Sequence, residues 1–521
     1  MGETYLVGVD IGTGGTKAGL FNQDGNCVAE AFEVSDLHRP KPGSVEEDPE
    51  RQTASVARTI HECMEKAKVD PSTVGGIAID GQMAGIIGVG SDGMNLTPYD
   101  SWLDTRCAPY IDRMSRAAGD AVLSSTGNTP SFNHGPKILY WKHEHPEVYR
   151  RIKSFVQPGG YAAMRLCNLR ASEAYIDTTY LHFSGFADSE HAQWNGDLAA
   201  EFDVDTTKLP RIRNPHDVVG SLSPEWAQSC GLAAGTPVAA GSGDTAASFL
   251  SCGAVEEGLC VDVAGTASVF AASVKNFRVD NIDRIMGIGR SIVPGLWHPY
   301  AYINGGGLNL TWFRDQIVQA SLGFAGCGEV IDLDQLGEIA AGVSPSATAP
   351  LFVPHLSGRV MPAAPALRGA WVGFDWSHGL ADFYRALLEG VALEYGVYLR
   401  VIRRLFPELL LREVRVTGGG EKSTVWNRIK ADAAGMPFVS IVGSRGAPMG
   451  SALLAGFASG LFPDISEAAQ RWVRTGTRTE PDSRTTEIYA QRLEHYEKLL
   501  GVLEEFSNTQ EEERNRGYSK A

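Results

Sequence analysis

A chain of 521 residues exceeds the size at which a single hydrophobic core stops growing, so its length predicts two domains. Its 43% hydrophobic and 21% charged residues are those of a folded chain and exclude global disorder. The formal charge, 46 basic against 62 acidic side chains or −16, opposes nucleic acid and anionic membranes as partners. It leaves room for a nucleotide, which local dipoles and a metal ion can hold.

The chain opens as a β-meander. Tyr5 to Val9 is an apolar run ending at Asp10, the glycine-rich turn Ile11 to Thr16 follows, and strands are predicted at Ala18 to Phe21 and Cys27 to Phe32 around Asp24-Gly25. With a strand starting so early, no secretion leader is expected. No apolar run approaches the roughly 20 residues of a membrane span. Eight scattered cysteines, Cys27, Cys63, Cys107, Cys167, Cys230, Cys252, Cys260 and Cys327, form no CxxC or zinc spacing and read as buried thiols of a cytoplasmic protein. The spacing of Val56, Ile60, Cys63 and Ala67 predicts a helix over Pro49 to Ala67, and Val74 to Asp80 reads as a buried strand.

The second half restarts in the same way, with a strand at Gly258 to Val263, a turn at Ala264-Gly265-Thr266 and a strand at Ser268 to Ser273. This predicts two related domains, residues 1–252 and 253–500, and a polar tail over 501–521 that frays beyond Leu503. Ala341 to Pro365 reads as a loop. Arg412 to Thr417 is a strand running into Gly418-Gly419-Gly420, and a helix is predicted from Asn427 to Ala434.

Phosphate binding needs backbone N–H groups that a Cβ would obstruct. Gly12-Thr13-Gly14-Gly15-Thr16 offers them with hydroxyls interleaved and Lys17 beside them, and Asp10 is placed to hold a magnesium ion. Taken alone, the segment reads equally as a hairpin without a ligand. No Walker GxxxxGK[ST] pattern is present, and a strand rather than a helix follows the turn, which excludes a dinucleotide fingerprint. In Gly241-Ser242-Gly243-Asp244-Thr245 small residues flank an acid before a helix; alone, Asp244 reads more readily as a helix cap. Four glycine turns at strand ends, Gly12 to Thr16, Gly265-Thr266, Gly305 to Gly307 and Gly418 to Gly420, fit one cleft closing on one nucleotide.

From about Val7 to about Lys498 the chain resembles the FGGY carbohydrate kinases, and most of all their xylulokinase branch. The resemblance implies two ribonuclease-H-like α/β domains of the actin, hexokinase and Hsp70 ATPase superfamily around a deep cleft. Gly8 to Thr13 is similar to the first phosphate loop, Gly265-Thr266 to the second, and Gly307, Thr311, Gly419, Gly420 and Ser423 fall where the family touches nucleotide. Gln82, Met83 and Ala84 occupy the sugar-contacting stretch, and Trp102, Asp104 and Arg106 another that borders the sugar. Gly243-Asp244 resembles the motif carrying the catalytic base. Asp382 to Gly390 resembles a second signature whose role is helix packing. Ala84 stands where xylulokinases have a sugar-contacting His, Leu103 and Thr245 replace Asn, and Ser44 replaces Trp. These departures cluster on the acceptor side.

The expected protein is therefore an ATP- and Mg2+-dependent kinase of a small sugar or polyol, D-xylulose first, in a form compatible with a homodimer. Asp244 is its expected base, with an ordinary carboxyl pKa near 3.9, and Asp10 and Asp244 its expected metal ligands. Another ketose or polyol, gluconate and an autoinducer-type signal are the alternative acceptors. A nucleotide-binding ATPase or sensor without a sugar acceptor is the rival of another class.

Overall fold

A computed structural model describes residues 3–321 and 330–518, so Cys327 lies outside the described residues. Two seven-stranded mixed sheets organise the chain. In the first, the strands run in the order Val218–Ser221, Pro237–Ala239, Val74–Gly81, Tyr5–Gly12, Gly15–Asn22, Cys27–Val34, and the short strand Ser242–Gly243 also pairs with Val74–Gly81. In the second, the order is Gly287–Arg290, Trp297–Ile303, Ser268–Ala272, Leu259–Ala264, Glu413–Thr417, Phe438–Val442, Arg474–Thr479. Each sheet joins an antiparallel meander to parallel strands through its first strand: Tyr5–Gly12 lies parallel to Val74–Gly81, and Leu259–Ala264 parallel to Glu413–Thr417. The restart seen in the sequence is thus a repeated topology.

The first turn is tighter than the glycines suggested. Pairing continues to Gly12 opposite Gly15, which leaves only Thr13-Gly14 as the turn and makes Thr16 and Lys17 strand residues. The helix Pro49–Ala67 has the predicted ends; Asp48 caps it by accepting from the Glu50 N–H, and Val56, Ile60 and Cys63 are buried under the first sheet. Ala67 is only half-buried.

Two helices fill the space between the sheets. Asp244–Ser251 sets Phe249 against Val261 and Ala271 of the second sheet. Ala447–Ala458, from the C-terminal half, lies on the first sheet so closely that a Cβ on Gly8 would stand 1.9 Å from the Pro448 carbonyl oxygen. A Cβ on Gly450 would stand 2.0 Å from the carbonyl oxygen of Ala247, so the two helices also touch backbone to backbone. The long helix Leu380–Leu405 is buried along most of its length, and its Glu389 binds Arg385, Tyr489 and Arg492. The signature over Asp382 to Gly390 accordingly packs rather than reacts.

Beyond Leu503 the helix Ser483–Tyr518 continues. The predicted loop over Ala341 to Pro365 contains one short strand, Leu351–Val353. No helix among the described residues is long and apolar enough to cross a membrane. The described cysteines are unpaired; Cys27 and Cys167 are half-buried and the others buried.

Candidate active site

Three strand ends bring three carboxyl groups together. Asp10 lies in register with Asp80 on the neighbouring parallel strand, and Asp80 in turn with Ser242, two residues before Asp244. Gly241 makes this possible: it has φ +84°, and a Cβ there would stand 2.0 Å from the Ile79 carbonyl oxygen. Tyr180 OH donates to the Gly81 carbonyl at 2.8 Å and to that of Ser242 at 3.2 Å, and Thr179 Oγ1 accepts from the Gly243 N–H at 2.9 Å. These two side chains clamp the strand ends that present the acids.

Asp244 is not the helix cap. Gly243 is, and Asp244 is the first helical residue, where the N-terminal dipole favours negative charge. Its Oδ1 accepts from the Thr245 N–H at 2.6 Å and the Thr245 hydroxyl at 3.0 Å, and among the described residues no hydrogen bond engages Oδ2. Burial, and then the nearby charge of Asp10, push its pKa up to about 7 against the ordinary value expected from sequence. Burial raises Asp10 to about 6, partly offset by Asp80 and Lys17, and drives Asp80 well above the carboxyl range. Among the described residues Asp10 Oδ1 and Asp80 Oδ1 are both buried without a partner, a donor set that a hard cation would satisfy.

Next to Asp244 lie the residues expected on the acceptor side. A Cβ on Gly243 would stand 1.8 Å from Met83 Sδ, so Met83 packs directly against the chain leading to the acid. Its carbonyl accepts from His134 Nε2 at 2.8 Å; burial holds His134 down near 4, so the ring is neutral. Ala84 follows, half-buried. Gln82 is buried, with Nε2 donating to Glu47 at 3.0 Å and Oε1 accepting from Thr13 at 3.3 Å. Trp102 Nε1 donates to the same Thr13 hydroxyl at 2.8 Å. Thr13, expected to face phosphate, therefore ties the first turn to the acceptor residues.

Asp104 and Arg106 do not stand free. Arg106 sits among Glu46, Asp100 and Asp104 at 2.7, 2.8 and 2.8 Å, its guanidinium over the Tyr140 ring. The three carboxylates come close enough to bracket an ion, and the guanidinium occupies that role. Asp104 also accepts from the Val45 N–H at 2.9 Å, and Lys137 Nζ donates to the carbonyls of Ser101 and Asp104. The pair stiffens the loop that carries Trp102.

Among the turns expected to hold nucleotide, the Gly307 and Leu308 N–H groups donate to the carbonyls of Gly265 and Thr266, each at 3.0 Å. A Cβ on Gly307 would stand 2.4 Å from the Gly265 oxygen, and one on Gly418, at φ +88°, 2.8 Å from that of Ala264. Three of the four glycine turns, those at Gly265, Gly307 and Gly418, therefore meet directly. A Cβ on Gly14 or on Gly419 would meet no atom within 4 Å, so both turns keep open backbone, whereas Gly420 is packed against Ala264 and Trp426.

Three hydroxyls and one lysine are engaged differently from the sequence expectation. Thr16 is a strand residue, and side-chain alternation turns it inward, where its hydroxyl meets that of Ser55 at 2.6 Å; no phosphate reaches it there. Thr311 donates to the Leu308 carbonyl of its own helix. Ser423 caps the helix Thr424–Ala434 by accepting from the Trp426 N–H. Lys17 pairs with Glu30 at 3.7 Å, on the opposite face of its strand from Thr16. Asp80, Thr179, Tyr180 and Ser451 were missed by sequence reasoning. Only Asp80 carried a signal, since Ile79-Asp80-Gly81 ends an apolar strand in an acid much as Val9-Asp10 does.

The space lined by Met83, Phe249, Tyr300 of the second half and Thr245, next in sequence to Asp244, is about 40 Å³. Small-molecule sites run to roughly 300 Å³ or more, so this space by itself is too small for one.

Residues 5–251 match the N-terminal domain of the FGGY family of carbohydrate kinases and residues 260–459 its C-terminal domain. The chain is similar to the xylulose kinase of Bacillus subtilis (strain 168), with 26% identity covering 95% of this chain and 96% of that one. It is similar to the autoinducer-2 kinase of Escherichia coli (strain K12 / DH10B), with 24% identity over 96% and 95% of the two chains. Among solved structures, xylulose kinase from Rhodospirillum rubrum superposes with a TM-score of 0.86 at 25% identity, covering 97% of this chain and all of that one.

Proposed function

The chain belongs to the FGGY family of carbohydrate kinases and is a sugar kinase, and from that premise we propose that it transfers the γ-phosphoryl group of ATP to a hydroxyl of D-xylulose, with Asp244 as general base. The observation that carries the base assignment is the free Oδ2 of Asp244, at a helix start beside Asp10 and against Met83. D-xylulose is favoured as acceptor by the 26% identity to a xylulose kinase along nearly the whole chain. This reading gives the acceptor residues and base to residues 1–252 and the Gly265, Gly307 and Gly419 turns, for the nucleotide, to 253–500.

Phosphoryl transfer has a loose transition state, so positioning and charge neutralisation matter more than covalent chemistry. Asp10 and Asp244 would hold a magnesium ion, whose contribution when bound is to neutralise charge on the transferred phosphate. With a cation bound there, the Asp244 carboxyl would titrate lower than in the metal-free fold and would stay ionised as the base. Asp244 Oδ2 takes the proton of the acceptor hydroxyl as it attacks phosphorus. Thr266 and the open backbone N–H groups of the glycine turns bind the phosphate oxygens. Gln82, fixed by Glu47 and Thr13, and Trp102, fixed by Thr13, orient the acceptor.

The test is ADP release across D-xylulose, D-ribulose, xylitol, gluconate and an autoinducer-type acceptor. The expected outcome is the highest kcat/KM with D-xylulose. A better acceptor elsewhere in the panel would move the specificity, and ATP turnover indifferent to every acceptor would favour an ATPase or sensor.

Thr266→Val removes an exposed hydroxyl while keeping the carbonyl that receives the Leu308 N–H. Losing one hydrogen bond of about 1 kcal/mol raises the KM for ATP roughly three- to tenfold and leaves the acceptor KM unchanged. Steady-state kinetics with each substrate varied separately check this. The reverse pattern would give this turn to the acceptor.

A further inference from the structure

The mechanism above leaves one fully buried acid without a task. Asp80 has no exposed surface and lies in register with Asp10. Its Oδ2 accepts from the hydroxyl of Ser451 at 2.5 Å, across 371 residues of sequence. Among the described residues its Oδ1 has no hydrogen-bond partner, and the same holds for Oδ1 of Asp10, directly across the parallel strand pair. A buried polar group is costly unless something uses it, and this one stands in register beside the acid that the proposed function assigns to the cation.

We propose that Asp80 and Ser451 are a positioning pair for Asp10, through which the C-terminal half of the chain sets the orientation of the cation-binding carboxylate. The inference rests on the reading of Asp10 as a cation ligand. Three further features support it. Ser451 stands on the helix Ala447–Ala458, whose seat on the first sheet is fixed by backbone contact at Gly8. The same helix touches Asp244–Ser251 at Gly450, so one rigid element borders both Asp10 and Asp244. Just before it, Ser444 Oγ accepts from the hydroxyl of Thr417, the last strand residue before Gly418-Gly419-Gly420. A continuous path of packed and hydrogen-bonded groups thus runs from a nucleotide turn to the cation carboxylate. Residues that hold a metal ligand in place commonly contribute ten- to a hundredfold to metal affinity.

The experiment titrates the full-length protein with Mn2+ alone, following free ion by electron paramagnetic resonance, and measures the KM of the best acceptor in parallel. Asp80→Ala and Ser451→Ala are expected to weaken Mn2+ binding about tenfold with the acceptor KM unchanged. The double variant should be no worse than either single one, because both cut the same path. Asp80→Asn keeps the shape and the acceptor for Ser451, and should stay within about twofold of the parent. Folded Asp80→Ala and Ser451→Ala proteins that bind Mn2+ like the parent would overturn the pair. So would Asp80→Asn as defective as Asp80→Ala, which would make Asp80 a ligand in its own right. The reading of Asp10 fails separately, if Asp10→Asn binds Mn2+ as the parent does.

Discussion

Replacing Asp244 by Asn is expected to lower turnover by at least about 100-fold while leaving nucleotide binding and the fold intact, because an amide of the same shape cannot accept the acceptor's proton. The Asn carbonyl can still take the hydrogen bonds from the Thr245 N–H and hydroxyl that hold Oδ1 now. Single-turnover transfer and equilibrium binding of ADP, measured on the same preparation, separate the two effects. Transfer near the parent rate would remove Asp244 from the reaction.

The same substitution should stabilise the metal-free protein at neutral and alkaline pH. Asp244 titrates near 7 in the fold against 3.8 for an unperturbed carboxyl. Between those values the folded chain holds a proton that the unfolded chain has released, so stability falls as pH rises from about 4 to about 7. Asp244→Asn removes that contribution and should gain about 1–3 kcal/mol at pH 8. At pH 4 and below, where both states are protonated, the gain vanishes. Thermal denaturation in EDTA across this range reads the difference; a gain that grew toward acid would contradict the raised pKa.

Lys430→Met is the second large effect, and it falls on stability. Lys430 Nζ lies 2.6 Å from Asp262 Oδ2, both groups fully buried, and Tyr395 OH donates to Asp262 Oδ1 at 2.6 Å. The ammonium also lies 3.7 Å from the centre of the Trp426 ring. Burial lowers the Lys430 pKa, and Asp262 is what opposes that shift. Removing the lysine alone leaves an uncompensated buried carboxylate, a loss of about 3–5 kcal/mol. Pairing it with Asp262→Leu should restore most of that loss, since buried ion pairs are often replaceable by apolar groups. Urea denaturation of the two variants tests this, and a single variant as stable as the parent would refute it.

This lysine also explains an asymmetry between the halves. Asp262 lies on the first strand of the second sheet, as Asp10 does on the first strand of the first. Across the parallel neighbour Asp10 faces another acid, Asp80, whereas Asp262 faces Val416 and is neutralised by Lys430. The repeated topology therefore sets two acids side by side in one half and a closed ion pair in the other.

Much was legible in the sequence by itself. Apolar runs ending in turn residues gave the meander, the buried strand expected over Val74 to Asp80 and the restart expected over Gly258 to Val263, and the 3.6-residue spacing gave Pro49–Ala67. Those patterns are local, and so are an acid at a strand end before a glycine turn, as at Asp10, and an acid flanked by small residues before a helix, as at Asp244. Tertiary structure decided what each polar group touches. It turned Thr16 inward by strand alternation, drew Thr13 to Gln82 and Trp102, and surrounded Arg106 with three acids. It also joined Ser451 to Asp80 across 371 residues. Hydrogen bonds and desolvation depend on neighbours brought together by packing, and neither the spacing nor the composition of a chain records who those neighbours are.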